Sequence, residues 1–392
     1  MASTHETTYT PLSESIDVDV AIVGGGITGL TAAYLLKQAG QKVAVLEKNT
    51  VGSATTGGTT GKVTSQHSLI YADLVKRLGV KSAGMYAEAN QTALEQIGHI
   101  IKRENISCQW EHRDNYVYTT DPVQVSTYQD EARAAMALDL PASFEVDIGL
   151  PFQTAGAVKF AHQACFNAHK YAHGLAKLVH GNGSHIFEYS NVTGFDDGQP
   201  AYIRTKFASV RAKNIIVASK VPAFPLFARF SYAALEYPHT SYIVAGDYAG
   251  DLDGMYISTD KNHYSILPVQ NGKARLLLIG GENHIPGLGH PESRYQKLAM
   301  YGKKHFGLSS IAYQWRAMDY LAYDNLPLIG KLYPWSKHIY VATGFKKWGL
   351  STSMVAGMIL RDMITGRSNP WTSVFDSTRL RPIAYIPRAI FK

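Results

Sequence analysis

The sequence predicts an α/β chain in which a parallel strand–helix–strand unit is interleaved with an α+β unit built on a large antiparallel or mixed sheet. Three observations predict it. A glycine-rich turn joins an apolar run to a helical pattern between Val18 and Glu47. Short alternating runs rich in Tyr and Pro dominate 222–306. A second strand–glycine–helix pattern closes the chain between Lys337 and Ile364. Elements that alternate at the two ends and run as strands between them leave this mixture of patterns.

The first unit carries the most specific signal. Val18–Val23 reads as a buried strand, Gly24-Gly25-Gly26-Ile27-Thr28-Gly29 fits G-x-G-x-x-G, and a helix follows from Thr28 to about Gln38. A second apolar run, Lys42–Leu46, ends in Glu47, 18 residues beyond Gly29, with Lys48 next. Gly24 permits the tight turn, Gly26 lets backbone approach a pyrophosphate, and Gly29 lets helix and strand pack closely. The helix start at Ile27 and Thr28 offers unpaired N–H groups and a positive dipole end. Glu47 is placed to accept hydrogen bonds from ribose hydroxyls. A lone glycine fingerprint is weak. Here strand, glycines, helix, second strand and acid fall in order, which predicts a Rossmann-type dinucleotide site.

Composition excludes several other classes. The 392 residues are 45% hydrophobic and 18% charged, as in an ordinary globular enzyme large enough for two or three domain-sized units. A net charge of +7 without a dense Lys/Arg run gives no nucleic-acid patch. The two cysteines, Cys108 and Cys165, lack metal or redox spacing and suggest a reducing compartment, so the expected location is cytoplasmic. The polar start lacks a signal-peptide pattern, and no run of apolar residues is long enough to span a membrane.

The remaining elements follow in order. Residues 1–15 are Thr/Ser-rich and expected to be disordered. Val51–His67 holds four glycines and five threonines, too polar for core, and reads either as a surface loop or as a lining for a flat polar cofactor. Lys81–Glu104 has Ala83, Tyr86, Ala89, Ala93, Ile97 and Ile100 at helical spacing. Tyr116–Thr119 reads as a strand, and Asp121–Asp139 as a helix opened by Asp121-Pro122. A helix is expected over about Phe160–His180, carrying His162, His169, His173 and His180. No acid or thiol joins them in a metal-ligand pattern, so they read as a solvated face and no metal site is expected. Alternating runs at 186–189, 201–207 and 209–212 form a meander returning to a buried strand at Asn214–Ser219. Strands are expected at Tyr242–Ala245, Met255–Ser258, His263–Leu267 and Ala274–Gly280. The closing strand ends at Gly344, and a helix runs from about Thr352 to Ile364.

Together these pieces resemble the D-amino-acid oxidase-like family of flavoproteins, which includes glycine and sarcosine oxidases. The resemblance spans Asp17 to about Arg379. It rests on the fingerprint with Glu47, on Asp324-Asn-Leu-Pro327-Leu-Ile-Gly330, and on Ala342-Thr-Gly344 through Gly349-Leu350-Ser351. Thr59-Thr60-Gly61-Lys62 through His67, Gln314–Asp319 and Phe345–Gly349 are similar to a bacterial subgroup that often carries a C-terminal Rieske domain. This chain is expected to be a free-standing flavin module.

The resemblance implies FAD, held non-covalently by residues 16–90, 161–222 and 322–392, with 91–160 and 223–321 forming the substrate side. Contacts are implied at Gly24, Gly26, Ile27, Thr28, Gly29, Glu47, Lys48, Thr59, Thr60, Gly61, Val192, Ala218 and Gly330. Gly344 and Lys347–Ser351 would flank the flavin ring. The implied reaction is oxidation of an amine or amino acid, by hydride transfer to the flavin, to an imine that hydrolyses. O2 or an electron carrier, such as a separate Rieske partner, would take the electrons. A non-enzymatic FAD-binding protein is the remaining class. Three positions depart from sarcosine oxidase-like members: Ser351 replaces a carboxylate-binding lysine, Leu278 an oxygen-activating lysine, and Ala317 a flavin-linking cysteine.

Five residues are candidates for the chemistry. Arg316 is a carboxylate clamp or a salt-bridge partner. Lys62 and His67 follow the threonine-rich loop and face the flavin or support it. His263 and Tyr264 are expected on one strand with opposite orientations, Tyr264 being the catalytic candidate. Trp348 walls the cavity or packs in the core.

Overall fold

The computed structural model describes residues 7–219, 226–287 and 290–380. Chain order begins β1 (Ile16–Val23), α1 (Ile27–Gln38), β2 (Val43–Leu46), β3 (Lys62–Val63), α2 (Tyr71–Arg103), β4 (Glu111–Thr119) and α3 (Val125–Met136). There follow β5 (Ala142–Glu145), β6 (Gly156–Cys165), α4 (Ala168–Val179), β7 (His185–Phe187), β8 (Gly194–Asp196), β9 (Ala201–Arg204) and β10 (Ser209–Val217). Next are α5 (Leu226–Ala233), β11 (Glu236–Asp247), β12 (Met255–Ser258), β13 (Ser265–Asn271), β14 (Ala274–His284) and α6 (Pro291–Phe306). The chain closes with β15 (Tyr313–Ala322), β16 (Leu328–Lys331), β17 (Ile339–Thr343), α7 (Gly349–Thr365) and α8 (Thr372–Phe375).

Two sheets result. The first runs β16-β17-β10-β1-β2-β7, with β8 and β9 added beside β10. Strands β17, β10, β1, β2 and β7 are mutually parallel, so their C-terminal ends lie along one edge. In such sheets ligands bind at that edge. The second sheet runs β15-β11-β14-β13-β12-β4-β6-β3, is mostly antiparallel, and adds β5 to β6. This is the expected α/β architecture: a Rossmann-like sheet interleaved with a larger mixed one.

Helices α1 and α7 pack on the first sheet and are buried nearly all round, as an apolar sequence without a polar face requires. Gly357 makes their contact close. A Cβ there would sit 3.0 Å from side-chain atoms of Leu35 and Thr31.

Several sequence expectations change. The helix expected from Lys81 begins at Tyr71 and bends at Gly79, whose φ of 81° interrupts helical geometry. Its first turn is held from a distance. The buried Glu131 carboxylate of α3 accepts the N–H groups of Ile70, Tyr71 and Ala72 at 2.7–2.8 Å. The helix expected over Phe160–His180 is shorter: Gly156–Cys165 is a strand paired with β4, and only Ala168–Val179 is helical. Burial runs along both faces of that strand, so its sequence shows no two-residue period, and its alanines fit either period. His162 therefore stands on an exposed bulge at φ 56°, away from the His169–His173 face, where the two rings lie 4.5 Å apart. Among the described residues no group of three His, Cys, Asp or Glu is arranged for a metal ion.

The N-terminal segment is also packed where disorder was expected. Tyr9 and Leu12 are buried, and their N–H groups bond to Glu188 Oε2 and Ser190 Oγ. Residues 1–6 lie outside the described residues. The sheets also cross the expected domain boundaries: Lys62–Val63 and the end of β6 belong to the second sheet, not the nucleotide unit. The predicted strand at His263 begins at Ser265, and the backbone at His263 turns with φ 47°. Among the described residues no helix is long and apolar enough to cross a membrane.

Candidate functional site

The parallel strands deliver their ends to one cavity of about 1410 Å3. That exceeds a typical small-molecule pocket of ~300–1,000 Å3 and accommodates a dinucleotide with a substrate beyond it. Gly24 follows β1, Glu47 follows β2, Ala218 follows β10 and Gly344 follows β17, and all four residues line the cavity.

The glycine turn is shaped by its neighbours. Gly24 has φ 109°, and a Cβ there would stand 2.9 Å from Ala218 O. A Cβ on Gly29 would stand 2.0 Å from Gly24 O, so only glycine allows this strand–helix contact. Gly26 precedes α1 and has no side chain to cap it. Thr56 Oγ1 accepts the Ile27 N–H at 3.0 Å, while Gly26, Ile27 and Thr28 line the cavity. Glu47 holds the turn from the side: Oε2 accepts the Gly25 N–H at 2.7 Å and Oε1 the Asn49 N–H at 2.8 Å. These features fit a pyrophosphate at the helix start and a ribose at the acid. Lys48 and Val192 line the same end.

The threonine-rich loop is fastened across the cavity. Thr55 Oγ1 donates to Met318 O at 2.8 Å, and Trp315 Nε1 donates to Gly58 O at 2.9 Å. Thr59, Thr60 and Ala317 line the cavity where this loop meets β15. Beyond Gly344, the loop is stapled to the same strand: Lys347 N–H donates to Asp319 Oδ2 at 2.7 Å and Lys346 N–H to Tyr320 O at 3.2 Å. Lys346 and Lys347 both take left-handed conformations, φ 49° and 70°, costly for non-glycine residues. Trp348, Gly349 and Leu350 follow on the lining, bringing the uncapped start of α7 to the cavity. A second positive dipole end thus faces the far half.

The five candidates for chemistry separate. Lys62 and Trp348 line the cavity; His67, Tyr264 and Arg316 do not. Lys62 is 8% exposed, its Nζ donates to Ser265 Oγ at 2.5 Å, and burial pushes its ammonium down to about 7. His67 lies behind Trp348, stacked on it with centroids 5.1 Å apart. Its Nε2 lies 2.9 Å from Thr64 O, which only accepts, so Nε2 carries the proton and Nδ1 accepts from Tyr86 O–H at 2.6 Å. Burial drives the imidazolium down to about 3, so His67 stays neutral. Ser351 Oγ also meets Nε2, at 3.0 Å, and is itself off the lining. Replacing His67 with Phe leaves the Tyr86 hydroxyl and the Thr64 carbonyl without this partner. A loss of about 1–2 kcal/mol is expected in denaturant melts, with altered Trp fluorescence.

Tyr264 stacks on Tyr301 at 3.7 Å, outside the lining. The residue facing inward is His263, in the turn before β13, with Ser265 on the same side two residues on. Arg316 is exposed, while Ala317 beside it lines the cavity: strand alternation turns the guanidinium away. Gly61 and Gly330 are also off the lining. A Cβ on Gly61 would meet Phe166 O at 2.3 Å, and one on Gly330 would meet Ser377 Oγ at 2.8 Å. Both glycines therefore serve packing. His239, Ser241 and Asn283, which line the far half, were not singled out in the sequence. Only the two-residue period of β11 could have indicated the first two, once its register was known.

Residues 19–363 match the family described as FAD dependent oxidoreductase, and the chain belongs to it. It is an FAD-dependent oxidoreductase, and FAD is its cofactor. It is 33% identical over 381 residues to a putative Rieske 2Fe-2S iron-sulfur protein, YhfW, of Bacillus subtilis strain 168, covering 96% of this chain and 74% of that protein. It is 26% identical to gamma-glutamylputrescine oxidoreductase of Escherichia coli K12, covering 91% of this chain and 86% of that one. Among solved structures it is similar to glycine oxidase from Geobacillus kaustophilus, with TM-score 0.78, 19% identity, and coverage of 93% and 99%.

Proposed function

We propose that this protein oxidises the C–N bond of a small amine or amino acid to an imine, which water then hydrolyses. The observation that carries it is the continuity of the cavity. Its glycine-turn half fits the dinucleotide, and its far half is floored by the second sheet, with Lys62, Ser265, His239 and Ser241 among its lining residues. The similarity to gamma-glutamylputrescine oxidoreductase and glycine oxidase supports this substrate class.

FAD, when bound, supplies a two-electron acceptor beside that chamber. The chain's own residues do the rest. Gly24–Thr28 and Glu47 hold the nucleotide end. Gly344–Leu350 and the start of α7 place backbone N–H groups and a dipole where negative charge develops on reduction. Lys62, in its ammonium form, holds the carboxylate of an amino-acid substrate, and Trp348 with His67 behind it keeps one wall rigid. Ala317 lines the cavity without a nucleophile, which supports a non-covalent cofactor. The buried free thiols Cys108 and Cys165 suit a reducing compartment, so we place the protein in the cytoplasm.

One observation favours transfer of electrons to a carrier over direct use of O2. Leu278, at the position of the oxygen-activating lysine in similar enzymes, is buried with Ile243, Met255 and Leu267 and supplies no charge. The test is anaerobic mixing with amines, N-methyl amino acids and D- and L-amino acids while the flavin absorbance is followed. Reoxidation by O2 and by an artificial dye is then compared. Bleaching by an amine or amino acid is expected. Bleaching by hydroxy acids alone would overturn the substrate class, and fast peroxide formation would overturn the carrier.

A further inference from the structure

The far half of the cavity carries a buried lysine on one side and a second lysine with two imidazoles on another. On one wall Lys62 is an ammonium nearly sealed from water that uses one of its three donors, on Ser265. No carboxylate pairs with it among the described residues. Such a group is costly to keep charged until an anion arrives. Elsewhere on the lining Lys347, His239 and His263 converge. The Lys347 charge lowers both imidazoles, though burial is the larger cause for each, and His263 also disfavours the His239 charge. Lys347 itself stays open to solvent through the cavity, and the surrounding protein and Lys346 lower it while Asp319 opposes them. Lys62 bonds to Ser265 of β13, whereas Lys347 is held through its backbone to Asp319 of β15, so the two lysines are anchored on different strands.

The acids nearby are already committed. Asp319 accepts the N–H groups of Tyr320 and Lys347. Asp260, which faces His263, accepts from Thr119 and from Thr120 N–H and Oγ1. A buried ammonium with two unused donors, a second lysine, and two neutral imidazoles, of which His239 Nδ1 is buried without a hydrogen-bond partner, offer donors that a ligand with two carboxylates would satisfy.

We propose that the cavity takes an acidic substrate with two carboxylates, one held by Lys62 and Ser265 and the other by Lys347, His239 and His263. This rests on the C–N oxidation reading and narrows it to amino or imino dicarboxylic acids. The test does not depend on turnover. The FAD-loaded protein is titrated with succinate, glutarate, butyrate and valerate, none of which has a C–N bond, and binding is read from the oxidised-flavin spectrum. At least one dicarboxylate is expected to bind about tenfold or more tightly than the monocarboxylate of equal length. Lys347→Gln should bring that ratio to within about twofold, and Lys62→Met should weaken both series about tenfold. If Lys347→Gln fails to retain FAD, His263→Gln gives the same comparison.

Equal affinities for the two series, or a ratio that survives both of these substitutions at the second site, would overturn the proposal. So would tighter binding of 3-phosphonopropionate than of glutarate, which would assign the second site to a phosphonate or phosphate. Dicarboxylates that bind tightly while no amine bleaches the flavin would instead overturn the reaction and leave the double anion site standing.

Discussion

Glu47→Ala is expected to weaken FAD binding about a hundredfold, the largest effect of any single substitution at the nucleotide end. The side chain has two tasks. Its carboxylate accepts Gly25 N–H at 2.7 Å and Asn49 N–H at 2.8 Å, which holds the glycine turn against the end of β2. It also lines the cavity where the ribose hydroxyls belong. Hydrogen bonds to a charged acceptor contribute about 1.5–3 kcal/mol each, so losing two costs about 3 kcal/mol at the lower end, a factor of about a hundred. Glu47→Gln, which keeps one acceptor oxygen, should fall between the two. The measurement is the dissociation constant from flavin-fluorescence quenching on reconstitution of apoprotein. An unchanged constant for Glu47→Ala would place the ribose acid elsewhere.

The nucleotide half was legible in the sequence because its determinants are local. Strand, glycines, helix and acid lie within Val18–Glu47, and Gly24, Gly25 and Gly29 answer contacts within that unit or with Ala218 and Ser219. The substrate half was not, because its determinants are pairings between distant segments. Whether Arg316 or Ala317 faces the cavity depends on the register of β15 against β11, where Arg316 opposes Tyr242. No local pattern decides that. Tyr264 was misplaced because alternation separates it from His263 without saying which face is inward, and His263 and Ser265 take the lining. The early start of α2 was hidden because its cap, Glu131, is about 60 residues away along the chain. His67 and Ser351 were found by their place in motifs, but only the structure shows that they stand behind the wall and not on it.

Glu236→Gln is expected to stabilise the protein increasingly as pH rises above about 4.5 and to have no such effect near pH 4. Glu236 opens β11, is 1% exposed, and places both carboxyl oxygens on Thr343 Oγ1, at 3.0 and 3.1 Å. Among the described residues no cation pairs with it. The charges and hydroxyls around it are Asp319 from β15 and the phenols of Tyr232 and Tyr320, none of which favours a carboxylate anion. Burial therefore raises its carboxyl well above the usual 4.5, with Asp319 adding repulsion and Thr343 only partly opposing. The native state then holds a proton that the unfolded chain releases above about pH 4.5. Native stability accordingly falls as pH rises from that point toward the raised native value, by about 1.4 kcal/mol per pH unit. Glutamine has the same shape and no proton to lose, so its advantage should grow steadily between pH 5 and pH 7 in paired denaturant melts. A difference that does not change with pH would mean that Glu236 is ionised in the native state. The acid stands directly under the cavity-lining turn, since a Cβ on Gly344 would lie 3.1 Å from its Oε2. FAD binding by the glutamine variant should therefore persist, because the neutral contact that shapes Thr343 and Gly344 is kept.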